Sequence, residues 1–171
     1  MRATKKVTLS AMLAALSVVI LLLGSFVEIV DLSAAALASF LVVFAFLELG
    51  AGYAVLLWAS ATVVSLLLFP GGASLFYAAI GLYPLLKSFL EKLPIALEWV
   101  LKMLTCNVVL AAYILLGKFV LMLPDEVLTT WLLWVFIPFA NLVFILYDIA
   151  LSRLIVYYGI RLRPRIAMLL K

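Results

Sequence analysis

Apolar residues fill this chain in long blocks, broken at nearly even intervals by charges or by glycine and proline. The first block runs from about 7 to 27 and closes on Glu28 and Asp31. The second, 32–47, ends at Glu48, with Gly50 and Gly52 making a tight connection. The third, 53–69, is stopped by Pro70, Gly71 and Gly72, and the fourth, 73–86, ends at Lys87. A mixed stretch, "KSFLEKLPIALEWVLK", then spans 87–102. The fifth block, 103–123, stops at Pro124, Asp125 and Glu126, and the sixth, 128–151, leads into the tail "RLIVYYGIRLRPR". About 20 apolar residues carry a helix across roughly 30 Å of hydrocarbon. Backbone groups there must be paired internally, so each block reads as a helix. The expectation is an all-α integral membrane protein, a compact bundle of six transmembrane helices forming one domain over 1–171. Blocks two and four are short, which predicts less tilt or extension past their charged ends.

Composition agrees. The 171 residues are 70% hydrophobic and 12% charged, with a mean hydropathy of +1.39. Soluble domains are about half apolar and a quarter charged, so the expected solvent is lipid. The first block has no A-x-A-like cleavage site before Val27, which predicts a retained helix over a signal peptide. One cysteine, Cys106, excludes an internal disulfide.

Charge adds topology. With the N-terminus in the cytosol, the inner side receives Arg2, Lys5, Lys6, Lys87, Lys92, Lys102, Arg153, Arg161, Arg163, Arg165 and Lys171, eleven of the twelve basic residues. The outer side receives Glu28, Asp31, Asp125 and Glu126. This positive-inside pattern predicts a multi-pass protein of the cell (cytoplasmic) membrane with both termini cytoplasmic. It also turns the net charge of +4 away from nucleic acid. Trp131 and Trp134 at one end of the sixth block, and Tyr157 and Tyr158 beyond the other, fit an aromatic belt. From Pro94, the segment 94–102 reads as a partly amphipathic cytoplasmic helix, either lying on the leaflet or docking a partner.

Candidate chemistry is sparse. There is no histidine, no G-x-S-x-G elbow and no Walker motif. No enzyme activity, cofactor or metal is expected. Attention falls on polar groups within the apolar blocks. Lys118 lies roughly 9 Å below the outer end of block five; it either snorkels or faces an outer cavity as a partner for an anionic ligand. Asn141, three residues after Pro138, either bridges two helices or touches ligand. Tyr77 and Tyr113 are packing residues or stacking platforms. Asn107 and Asp148 lie toward the inner side, and Asp148 has basic neighbours with which to pair. Small residues recur in "SAMLAALS": Ser10, Ala14 and Ser17 share one side of the first helix, Ala11 and Ala15 another. Such residues let helices approach closely, within this bundle or against a second subunit.

The short basic N-terminus, the first helix reading "LSAMLAALSVV" and six helices in under 180 residues resemble the substrate-binding S component of energy-coupling factor (ECF) vitamin transporters. The resemblance implies that Ala11 and Ala15, an A-x-x-x-A pattern, contact the membrane-embedded T subunit. It implies an outward-facing cavity for a vitamin or similar small-molecule solute, with Lys118, Asn141, Tyr77 and Tyr113 as candidate contacts. It makes Glu28, Asp31, Pro70, Gly71 and Gly72 the loops that cover the cavity. Separate cytoplasmic ATPases would drive the cycle through the T subunit. The alternative is a non-transporting structural membrane subunit similar to the MreD family.

Overall fold

The computed structural model describes residues 3–120 and 130–163, without the side chains of residues 28, 113, 116–120, 130–134 and 162. The helices are α1 (Ala3–Ser25), α2 (Asp31–Leu49), α3 (Ala51–Leu68), α4 (Gly72–Ile80), α5 (Tyr83–Leu90), α6 (Ile95–Val120) and α7 (Thr130–Tyr157). A 3-10 turn, Glu28–Val30, leads into α2, and a π-helical turn, Tyr158–Leu162, extends α7. No strand occurs among the described residues. With α4 and α5 taken together, six helical stretches are long and apolar enough to cross a membrane.

The distribution of side chains suits lipid. Ile29, Leu67 and Val135 are 94%, 79% and 73% exposed, while Ser17, Ser39, Ser65 and Ser74 are fully buried. Water would reverse that order, because exposed apolar area on this scale is unfavourable in it. Three of the buried serines bond locally: Ser17 to Leu13 O at 2.9 Å, Ser39 to Ala36 O at 2.7 Å and Ser65 to Thr62 O at 3.1 Å. With its hydroxyl satisfied on its own helix, a serine packs as a small residue and lets backbones come close.

Two packing groups share α2. On one face, Ala35, Ala38, Val42, Ala45 and Leu49 meet Leu21 of α1, Leu57 and Ala61 of α3, and Tyr77 of α4. On the opposite face, Val43 packs with Tyr83 of α5, Cys106 of α6, and Phe144 and Leu151 of α7. Gly50 turns the chain from α2 into α3 at φ 103°, a conformation that side chains rarely adopt. Near that turn, Ser10 donates to Tyr53 O at 3.3 Å, and Glu48 accepts from Tyr158 at 3.0 Å and pairs with Arg163 at 3.3 Å. These contacts gather the ends of α1, α2, α3 and α7 at one end of the bundle, here termed the basic end.

The structure changes two sequence expectations. The fourth block is not one rod. Pro84 lacks the N–H that would continue the helix, so the chain breaks at Gly81–Leu82 and restarts as α5. The segment 94–102 is no separate interfacial helix; it forms the first turns of α6. Lys102, near the end of that segment, is 3% exposed and turned into the protein.

Candidate functional site

The break after α4 sets the register of α5. Tyr83, Lys87 and Glu91 are spaced by four residues and share one helix face. Glu98 and Lys102 do the same on α6. Both faces converge on Asp148 of α7. Lys87 pairs with one carboxylate oxygen of Asp148, and Tyr83 donates to that same oxygen at 2.6 Å. Lys102 pairs with the other at 2.9 Å. Toward the surface, Lys87 meets Glu91 at 3.0 Å and Lys102 meets Glu98 at 2.7 Å. Lys87, Lys102 and Asp148 are all buried.

Lys87 and Lys102, counted from the sequence only among the inner-side charges, are buried in the bundle. Both are inside the bundle because an ionised carboxylate awaits them. The pairing foreseen for Asp148 is present, and it joins three helices. Buried charges persist only when paired and hydrogen-bonded, and Asp148 meets both conditions. Its two oxygens already receive three donors, so the cluster works as a clamp between helices. No group of acids, cysteine and histidine suited to a metal occurs among the described residues.

The expected ligand contacts are dispersed. Tyr77 is fully buried between α1, α2 and α3, with its hydroxyl toward Ser17 of α1. Asn141 belongs to the α6–α7 side. It donates to Ile137 O at 2.9 Å and exchanges 3.4 Å contacts with Asn107, which itself donates to Met103 O at 2.8 Å. The interhelical reading of Asn141 thus has a geometric partner. The side chains of Lys118 and Tyr113 lie outside the described residues, as do Pro124, Asp125 and Glu126.

The loops at the end opposite the basic end do meet. The Asp31 carboxylate lies against Gly72, so the first and third loops meet there. A Cβ at Gly71 would lie 3.9 Å from that of Ser25.

The first helix resolves its two faces. Ser10, Ser17, Leu21 and Gly24 are buried against the bundle. Ala11 and Ala15 are exposed, beside Met12, Leu16 and Val19. The small-residue pair is thus free of packing by the described residues.

No family of known proteins, no curated protein and no solved structure matches the chain. Fold and site define a class: an all-helical, multi-pass membrane protein whose last three helices are clamped by buried charge.

Proposed function

We propose that the chain is the substrate-binding subunit of an ECF-type importer, non-enzymatic, with its basic end in the cytosol of the cell membrane. It captures a vitamin or similar micronutrient from the outer side and docks through α1 on a T subunit driven by separate ATPases. The observation that carries this reading is the outward-facing pair Ala11 and Ala15, a smooth patch that this bundle leaves uncovered. Closure of the Asp31 loop against Gly72 supports capture of a solute at the other end.

Co-expression with a T subunit tests the docking. Ala11→Trp and Ala15→Trp place bulk outside the core, so helical content and melting stay as in the parent chain while co-purification is lost. Unchanged complex formation would refute the assignment. Mass spectrometry of small molecules retained by the purified protein tests the capture.

A second reading, the structural subunit similar to the MreD family, is favoured by one observation. Asn141 is engaged with Asn107 and so is not presented to a cavity. On that reading the purified chain retains no solute and instead co-purifies with a membrane protein partner.

A further inference from the structure

On the opposite side of the molecule from α1, an open groove of about 700 Å³ runs between α2 and the last turns of α7. Phe40 of α2 forms one wall; Ala150, Arg153, Leu154, Tyr157 and Arg161 form the other. The α7 residues follow a three- and four-residue spacing, so they make one continuous strip of the helix. The strip is apolar toward the middle of the bundle and basic toward its end.

The two arginines differ from the paired charges beside them. Lys87 and Lys102 share Asp148, and Arg163 pairs with Glu48. Arg153 and Arg161 have no carboxylate partner among the described residues; Arg161 lies 5.9 Å from the Tyr157 ring. Arg161 closes the sixth apolar stretch, Val135–Arg161. Arg153 lies eight residues earlier on the same strip, just past the sixth apolar block. Both guanidiniums line the same groove beside apolar walls, so their charges meet at one place.

We propose that this groove binds an anionic phospholipid. Its phosphate lies between Arg153 and Arg161, and one acyl chain lies along Ala150, Leu154 and Phe40. Charge complementarity selects the occupant: two cations without a carboxylate partner among the described residues call for a net-negative headgroup, and the apolar floor calls for a hydrocarbon tail. Anionic lipid and basic protein ends share the same leaflet when the positive-inside rule holds.

Native mass spectrometry of the full chain in mild detergent, titrated with phosphatidylglycerol or with phosphatidylcholine of the same acyl chains, tests this. The wild-type chain should prefer phosphatidylglycerol. Arg153→Gln with Arg161→Gln should weaken that binding roughly 30-fold, as expected for two basic contacts to an anionic headgroup, while the double Lys variant keeps most of it. Ala150→Trp, which fills the tail's path without touching charge, should weaken both lipids and decides the matter if the Gln variant does not fold. Equal phosphatidylglycerol binding by the Gln and parent chains would overturn the proposal. So would equal affinity for phosphatidylcholine, equal affinity for inorganic phosphate, or a dimer cross-linked through Ala150→Cys.

Discussion

Asp148→Asn tests the charge clamp directly. The substitution keeps the side chain's size and removes its charge. Lys87 and Lys102, whose side chains are 1% and 3% exposed, would then share a neutral amide. Removing one partner of a buried ion pair costs about 3–5 kcal/mol, because a charge stays behind in low dielectric. Here both lysines keep a second acid, Glu91 at 3.0 Å and Glu98 at 2.7 Å. Those glutamates are 44% and 18% exposed, so solvent screens them in part. The lower end of the range applies, about 3 kcal/mol. For a chain of this size that corresponds to a fall in Tm of roughly 6–12 °C. The assay is thermal unfolding of the purified full chain in detergent, followed by circular dichroism and tryptophan fluorescence. Trp99 reports locally, since the Lys102 ammonium lies 5.5 Å from its ring. The triple variant Lys87→Met, Lys102→Met, Asp148→Leu removes every buried charge of the clamp at similar volume and should regain most of the loss. An Asp148→Asn chain melting within about 2 °C of the parent, or a triple variant melting below the Asp148→Asn chain, would refute the clamp.

Two further outcomes follow from the polar groups elsewhere. Tyr77→Phe deletes a buried hydroxyl that faces Ser17 and should weaken retention of a solute; unchanged retention by the variant would remove Tyr77 from the site. Asn141→Leu should destabilise by about 0.6–1.7 kcal/mol, the span for interhelical hydrogen bonds in membranes. Adding Asn107→Leu should then cost little more, and strict additivity in that cycle would deny the pair.

The helices themselves were legible because apolar block length reports directly on the thickness of the solvent they cross. The break in the fourth crossing was also written in the chain, in Gly81 and Pro84, but an apolar block hides it from a count of hydrophobic residues. The clamp was harder to see. Lys87 and Lys102 stand at the edges of apolar blocks, where a charge reads as solvated, and their partner is 61 and 46 residues away. The available signal was local: Lys87 with Glu91, and Glu98 with Lys102, are acid–base pairs at helical spacing beside long apolar runs. For Asn141 the chain left two readings open, because its partner Asn107 is 34 residues away. The split of α1 into two small-residue faces was visible from periodicity. Which face turns inward depended on α2 and α3, and only the fold could decide it.

The geometry of α2 keeps the two proposed surfaces apart. Ala35, Ala38, Val42 and Ala45 look toward α1, while Phe40, Val43 and Leu47 look toward α5, α6 and α7. Ala11 and Ala15 therefore stand on a helix packed against one face of α2, and the arginine groove opens on the other. No hydrogen bond or ion pair described here links Ala11 or Ala15 to Arg153 or Arg161, and sites without shared partners act nearly additively. A tryptophan on α1 that blocks a T subunit should leave phospholipid binding as it was, and glutamines at the groove should leave T-subunit binding as it was. If either substitution abolished both, the simpler account would be one continuous protein interface wrapping α1 and α7. The lipid site and the docking face would then have to be abandoned together.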